Sequence, residues 1–175
     1  SAFFPRTSYP SRVQDINPGS YARSEGKIKA QKFSALQIKS WFYPTLISGK
    51  PQTLFNWGLL RIFVDQNGFL SACFNNSELI SSPFNLKTHI WYQLDFSVLV
   101  GGELKLTISS ELKSCTGSVQ SKIDVGLIQK LQSQNEFFQI AGCQENSGEN
   151  FNGKIEAPKF IVNDDEIAAW NFEES

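Results

Sequence analysis

The sequence predicts a single all-β domain, an antiparallel two-sheet sandwich, that carries no recognisable catalytic site of its own. From Ser20 onward, short segments of alternating apolar and polar residues are bounded by Gly, Asn, Pro and Ser, a pattern typical of sandwiches and barrels. Fifteen Phe, four Trp and four Tyr residues supply side chains that suit a pleated, half-buried surface. With 175 residues, the chain can bury roughly two thirds of its unfolded surface in one core.

The positions of proline, aromatic and turn residues predict the structure of the N-terminal part and of the first strands. Residues 1–19 hold Pro5, Pro10 and Pro18, which predicts an extended segment before one sandwich domain at 20–175. Residues 35–43 alternate as a strand with aromatic side chains on both faces, and Pro44 ends it because proline has no N–H for a ladder. Residues 59–64 and 69–74 form a predicted hairpin around a turn at 65–68, and a further turn at Asn75-Asn76 leads into residues 78–80.

The strongest predicted hairpin lies in the middle of the chain. Residues 91–98 alternate with a strict period of two, Gly101-Gly102 supplies the positive φ angles of a tight turn, and the alternation returns at 104–108. The stretch 109–135 is polar and lacks this alternation, so no strand is predicted there. Within it, residues 125–131 have the apolar spacing of one short helix. Residues 137–142, 154–162 and 167–172 are predicted as closing strands, with a surface loop at 145–150.

Charge and cysteine content limit the partners. Sixteen basic and seventeen acidic residues give a net charge of −1 without long runs of either sign, so we expect no nucleic-acid partner. No apolar run approaches the roughly 18 residues of a membrane span, so no membrane partner is expected. Cys73, Cys115 and Cys143 are odd in number and lack a Cys-x-x-Cys spacing. We therefore expect reduced thiols, a cytoplasmic location, and neither a zinc site nor any other cofactor.

The residues that could carry chemistry have better structural interpretations. His89 is the lone histidine and is expected at a strand entry, and no serine has a nucleophile-elbow pattern. The oxygens of Asn163-Asp164-Asp165-Glu166 and of residues 65–68 could hold calcium, but turns use the same letters. Asn75-Asn76-Ser77 matches a glycosylation acceptor, which we treat as chance. Glycoside hydrolysis needs two facing carboxylates and ranks low; the candidates are Glu78, Asp95, Glu103, Asp124 and Glu156.

Three aromatic residues are the candidate ligand-binding side chains. Trp41, Tyr43 and Trp57 could form a platform on which a sugar stacks, because flat apolar rings suit the apolar faces of pyranoses. Such rings belong more often to a core or an interface, which is the competing interpretation.

Several stretches along the whole chain have the order and spacing of motifs in one known family. The general ones are Arg12-Val13-Gln14, Pro18-Gly19-Ser20-Tyr21, residues 38–45, Pro51-Gln52-Thr53-Leu54, residues 65–70, Trp91-Tyr92-Gln93-Leu94 and residues 137–142. The most specific are Phe151-Asn152-Gly153-Lys154-Ile155-Glu156-Ala157-Pro158 and Ile167-Ala168-Ala169-Trp170-Asn171-Phe172. The chain thereby resembles the laminin-G/concanavalin-like jelly-roll domain, most closely that of the large (beta) subunit of N,N-dimethylformamidase.

The resemblance carries a fold and a role. It implies a jelly roll. Independently of the family, Gly153 permits a bulge or a close backbone approach beside Phe151, Pro158 fits where no ladder donor is needed, and Trp170 is expected on the same face as Phe172. Asn171 stands where the family usually has an acid, so a salt bridge is not expected there. In that family the catalytic iron lies in another domain, so the resemblance implies no catalytic residue in this chain.

The leading functional hypothesis is an accessory domain of a larger bacterial amide hydrolase. Its partners would be the other domains or subunits of that parent protein. The sequence contains no methionine, so either an initiator was removed or the chain was excised from a larger protein, and we expect excision. The alternative is a carbohydrate-binding, lectin-like module that holds a glycan through Trp41, Tyr43 or Trp57. A glycoside hydrolase of the same sandwich type is the third and weakest hypothesis.

Overall fold

The computed structural model describes residues 14–16, 22–112, 115–141 and 150–169. Within these ranges the chain forms two antiparallel sheets, a two-stranded ribbon and one helix. The elements are β1 (Gln14–Ile16), β2 (Ala22–Arg23), β3 (Ile28–Lys29), β4 (Ala35–Pro44), β5 (Gln52–Trp57), β6 (Leu60–Val64), β7 (Phe69–Phe74), β8 (Ser77–Asn85), β9 (Tyr92–Leu99), β10 (Glu103–Ser110), β11 (Thr116–Lys122), α1 (Val125–Ser133), β12 (Asn135–Glu136), β13 (Phe138–Ile140), β14 (Gly153–Val162) and β15 (Asp165–Ala169). The predicted all-β sandwich is confirmed.

The two sheets face each other across one core. The first sheet has the order β1-β14-β4-β9-β10-β11, with β15 also paired to β14, and the second has the order β2-β13-β5-β6-β7-β8. The ribbon pairs β12 with β3. Large rings from both sheets fill the space between them: Phe138 lies 5.6 Å from Phe55 and 5.0 Å from Phe160, measured between ring centroids. Burial of each such ring contributes roughly 1.5–3 kcal/mol, so these contacts help to hold the sheets together.

The central predicted hairpin is confirmed as β9 and β10. Leu94, Phe96 and Val98 are fully buried while the residues between them face outward, as the period of two requires. Gly102 closes the turn by donating its N–H to the Leu99 carbonyl at 2.9 Å. Its φ is +98°, and a Cβ at this position would collide with the Ile123 carbonyl oxygen, so the turn requires glycine.

The region 109–135 was only partly predicted. The helix is confirmed as α1, where Asp124 caps the N-terminus by accepting the Leu127 N–H at 3.1 Å and Ile128 and Leu131 are buried. The expectation of no strand was wrong, since β11 pairs along the full length of β10. The residues of this edge strand alternate between exposed and half-buried, and none is fully buried. Its sequence therefore lacks the regular apolar residues by which a strand with one buried face is predicted. The strand β5 was also not predicted, because four consecutive residues from Gln52 are buried and no alternation is visible.

The motif before the end of the chain forms a bulged strand. The register between β14 and β4 shifts between Glu156 and Lys159, so Pro158 lies in a bulge where no ladder donor is needed. A Cβ on Gly153 would collide with the Tyr43 carbonyl oxygen and approach the Phe151 ring, so the close approach implied for this glycine is present.

Some predictions fall outside the described residues. Within the predicted N-terminal segment, β1 pairs with β14, and the remaining residues up to 19 are outside. Cys143, the 145–149 part of the predicted loop, and Trp170, Asn171 and Phe172 are also outside, whereas Cys73 is buried and Cys115 is half-buried. No helix within the described ranges is long and apolar enough to cross a membrane.

Candidate functional site

The three aromatic residues predicted from sequence do not share a surface. The Trp57 side chain is 0% exposed, and its indole N–H donates to the Ile28 carbonyl at 3.2 Å, so its ring belongs to the core. Trp41 and Tyr43 lie on the outer face of β4 in the first sheet, whereas Trp57 lies in the second sheet. Trp41 is 5% exposed and Tyr43 is half-buried. Contact of Trp41 or Tyr43 with a ligand stays a prediction, while Trp57 has no ring face open to solvent.

Tyr43 is the centre of an aromatic cluster at one end of the first sheet. Its ring centroid lies 5.2 Å from that of Trp91 and 5.9 Å from that of His89, and the Lys154 ammonium lies 5.2 Å from the Tyr43 ring. His89 is exposed, has a φ of +63° and donates its N–H to the Pro44 carbonyl at 2.7 Å. This backbone contact ties the chain ahead of β9 to the end of β4, which is the strand-entry position expected for this histidine.

A groove of about 740 Å³ lies on the other side of the molecule, against the outer face of the second sheet. Its described lining residues are mostly polar: Lys27, Asn56, Gly58, Leu59, Lys130, Ser133, Gln134, Glu136, Phe137 and Gln139. They come from β5 and the β5–β6 turn, from α1, β12 and β13 with the residues that connect them, and from the connection between β2 and β3. A cleft of this size is within the range that encloses a small ligand.

The floor of the groove is set by strand alternation. Asn56 lies between the buried residues Phe55 and Trp57, so its side chain points away from the core. Gln139 lies directly opposite Asn56 on β13, and Arg23 lies opposite Gln139 on β2. Three polar side chains therefore form one row across three strands of the outer face. Asn56 Nδ2 donates to the Gly58 and Leu60 carbonyls, both at 3.4 Å, and Gln139 is 7% exposed. The amide oxygen of Asn56 can accept a hydrogen bond from a ligand hydroxyl.

One wall of the groove is fixed by Gln134, the C-cap residue of α1. Its Oε1 accepts the Leu59 N–H at 3.1 Å and its Nε2 donates to the Trp57 carbonyl at 2.8 Å. Both contacts depend on Gly58, where a Cβ would overlap the Gln134 side-chain amide and lie 2.8 Å from Glu136 Cγ. The helix is thereby clamped to the β5–β6 turn, and this clamp shapes the groove.

The rim carries an aromatic ring with cations over it. Phe137, between β12 and β13, is half-buried; the Arg23 guanidinium carbon lies 4.1 Å from its ring centroid and the Lys27 Nζ lies 5.9 Å from it. Such cation–π contacts hold the charged groups beside the ring. Lys130, in the last turn of α1, is the second cation of the described lining, beside Lys27.

The carboxylates do not form a catalytic pair in this groove. Among its described lining residues Glu136 is the one acid, whereas glycoside hydrolysis needs two. Of the acids considered from sequence, Asp95 pairs with Lys39 at 3.8 Å on the first sheet, and Asp124 caps α1. Glu156 is 3% exposed and lies opposite Trp41, away from the groove.

Oxygens of the two candidate calcium segments already have partners in the protein, within a turn for Asp65 and across the sheet for the second segment. Asp65 Oδ1 accepts the N–H groups of Asn67 and Phe69 at 2.8 and 2.9 Å, and Asn163 Oδ1 accepts the Ser34 N–H at 2.7 Å. Glu166 pairs with Lys159 at 3.1 Å. In the described ranges, no group of three or more His, Cys, Asp or Glu residues is arranged to hold a metal ion.

Sequence reasoning missed the residues of the groove. The available signal was a polar residue between buried apolar neighbours, Asn56 in β5 and Gln139 in β13, but β5 was not predicted as a strand. Pairing of these two residues depends on the register between β13 and β5, which are more than eighty positions apart. No local pattern reports that pairing.

Comparisons with known proteins agree on the fold. No protein-family model matches the chain, and no curated protein sequence matches it. Tailspike protein 2 of the Escherichia coli O157:H7 bacteriophage CAB120 aligns with a TM-score of 0.65 and 10% identity, over 94% of this chain and 26% of that chain. Lectin II from Ulex europaeus aligns with a TM-score of 0.61 and 9% identity, over 87% of this chain and 86% of that chain. Domains LG4-5 of the mouse laminin alpha1 chain align with a TM-score of 0.63 and 12% identity, over 93% of this chain and 45% of that chain.

These structural matches support the fold. The chain has the antiparallel jelly-roll sandwich fold that the matched lectin and laminin domains share, as the sequence predicted. The chain spans about a quarter of the length of the tailspike protein and less than half of the laminin fragment. At such low identities the similarity concerns the fold.

Proposed function

We propose that this domain is a carbohydrate-binding, lectin-like module whose ligand occupies the groove over the second sheet. The observation that carries the proposal is the row of polar side chains on the groove floor, Asn56 and Gln139, beside the half-buried ring of Phe137. Amides hydrogen-bond to sugar hydroxyls, and an aromatic ring packs against the apolar face of a pyranose. A sandwich that presents both groups in one groove has the chemistry of a sugar site.

The lining of the groove supports this proposal over an enzymatic one, and the fold is compatible with it. A lectin is among the matched structures, and it aligns over most of its own length. The groove combines polar groups held by the sheet with a wall held by the Gln134 clamp, so a ligand would meet preformed partners. The single described carboxylate of the lining argues against hydrolysis of the bound sugar.

The proposal is tested by glycan-array screening followed by titration calorimetry on Phe137 variants. Phe137→Ala is expected to weaken binding of the array's best glycan by about tenfold, since it removes a stacking surface. Phe137→Leu keeps apolar volume without a flat ring and should recover only part of the affinity. Tyr43→Ala, in the aromatic cluster of the first sheet, is the matched control and should bind like the parent protein.

Two results would overturn the proposal. Absence of binding to any glycan on a broad array at high protein concentration would remove the carbohydrate-binding role. Loss of binding in Tyr43→Ala with full binding in Phe137→Ala would move the site to the predicted platform on the first sheet.

A second role, as accessory domain of a larger amide hydrolase like N,N-dimethylformamidase, is supported by the sequence resemblance alone. The specific part of that resemblance, residues 151–158, coincides with the start and the bulge of β14. These are packing positions, which any jelly roll of this type could require. Reading the encoding gene on both sides of the chain tests this role: a catalytic domain downstream supports it, and its absence would remove it.

A further inference from the structure

The rim of the groove carries an excess of positive charge. Lys27 and Lys130 are exposed lining residues of the groove, and Arg23 is exposed beside it, over the lining residue Phe137. Glu136 is the one carboxylate among the described lining residues. In the described part of the chain no ion pair involves these three cations; the ion pairs found, Lys39–Asp95 and Lys159–Glu166, lie on the first sheet. Among the described residues, the cations of the rim therefore have no carboxylate within ion-pair distance.

Arg23 is held beside an aromatic ring at the edge of the groove. Its guanidinium carbon lies 4.1 Å from the ring centroid of Phe137. The N–H groups of a guanidinium form a fork that matches the two oxygens of a carboxylate. Gln139, opposite Arg23 in the strand register, places an amide beside the same position. A cation, an aromatic ring that holds it and a neighbouring amide therefore lie together at the edge of the groove.

We propose that the groove selects acidic saccharides, with the sugar carboxylate bound by Arg23 and supported by Lys27, and the sugar hydroxyls bound by Asn56 and Gln139. This inference rests on the proposed function and names its ligand class. Three cations against one acid suit a sugar with an isolated carboxylate, because a densely sulfated chain would find few further cations here. Lys130, on the opposite wall, adds a long-range attraction that guides the anion into the groove.

The test compares acidic glycans with their carboxyl-reduced forms. Trigalacturonic acid, 3′-sialyllactose and a hyaluronan tetrasaccharide are each titrated against the protein beside the neutral sugar made by reducing the carboxyl group. At least one acid is expected to bind about tenfold more tightly than its neutral form, since a charge-assisted hydrogen bond is lost on reduction. The advantage should shrink as salt is raised, because exposed charges are screened.

Variants then locate the selectivity. Arg23→Ala should bring the ratio of acid affinity to neutral affinity down to about one, and this ratio is the readout because loss of Arg23 also uncovers the Phe137 ring. Arg23→Lys keeps the positive charge but loses the two parallel N–H donors of the guanidinium, so its affinity for the acid should lie between those of the parent protein and of Arg23→Ala. Lys105→Ala changes net charge equally but lies on β10 of the first sheet, and should leave both affinities unchanged. Unchanged melting temperatures would show that the variants remain folded.

The failures of the two proposals are distinguishable. Equal binding of acidic and neutral forms, or an acid preference that survives Arg23→Ala, would overturn acid selection while leaving the carbohydrate-binding role intact. Binding of neither set of sugars, with an empty broad array, would overturn both.

Discussion

The indole ring of Trp57 packs edge-on against the phenyl ring of Phe160, with ring centroids 5.1 Å apart and an angle of 68° between the ring planes. Trp57 belongs to β5 in the second sheet and Phe160 to β14 in the first, so this contact joins the two sheets through the core. The same strand turns Asn56, the neighbour of Trp57, toward the groove. Core packing on one face of β5 therefore supports the floor of the candidate site on the other.

Substitution of Trp57 is expected to act on stability. Trp57→Ala should lower the free energy of unfolding by about 3–5 kcal/mol, because it leaves a large cavity between the sheets. Trp57→Phe keeps part of the ring volume but removes the donor to the Ile28 carbonyl, so it should cost less. Urea denaturation measures both. A Trp57→Ala protein as stable as Tyr43→Ala would contradict the buried position of this side chain.

Gly58→Ala is expected to damage both stability and the groove. Gly58 has a φ of +58°, where a Cβ is strained by about 1–2 kcal/mol, and the added atom would overlap the Gln134 amide. The clamp between α1 and the β5–β6 turn would have to move. Thermal unfolding and glycan titration should show a lower melting temperature together with weaker binding. Gly26→Ala is the control, since a Cβ there meets nothing within 4 Å, and it should change neither value.

Asp124→Ala is expected to lower the free energy of unfolding by about 1 kcal/mol. The Asp124 carboxylate accepts the Leu127 N–H at the start of α1, and an alanine leaves that donor without its cap. Asp124→Asn keeps an acceptor at the same position and should retain most of the stability. Denaturant midpoints measured side by side test this; an equal loss in both variants would show that the charge matters more than the hydrogen bond.

Because the Tyr92 hydroxyl is buried, we expect the protein to lose stability at alkaline pH. Burial raises the pKa of its hydroxyl above 10.0, partly opposed by the hydrogen bond that the hydroxyl accepts from the Lys87 N–H. The unfolded chain therefore loses this proton first, so stability should decrease as the pH rises above about 10 and toward the folded-state pKa. Tyr92→Phe should show a flatter decrease in the same range. A steeper or unchanged decrease in the variant would contradict this role.

Elements were predicted correctly where their sequence signal lies within a few neighbouring residues, and they were missed where it does not. The β9–β10 hairpin and α1 were predicted because their periodicities and turn residues lie within a few positions of one another. The strand β11 was missed because an edge strand without a buried face does not show the apolar alternation on which prediction relies. In β5, burial of consecutive residues hid the strand, and with it the outward direction of Asn56.

The candidate site shows the same division. Trp57 was considered for a sugar platform because an indole suits both a sugar and a core, and only the position of Phe160 across the sandwich distinguishes the two. Arg23, Asn56 and Gln139 are far apart in the chain and carry no motif. Their common row arises from strand pairing alone.

By itself, the sequence determined that this protein is an all-β sandwich with a tight central hairpin, because periodicity, turn residues and aromatic content act over short distances along the chain. The tertiary structure decided which aromatic residues are buried and which polar residues meet in a groove. Those outcomes depend on sheet register and on packing between the sheets. Both are set by contacts between residues remote in sequence, such as Trp57 with Phe160 and Asn56 with Gln139.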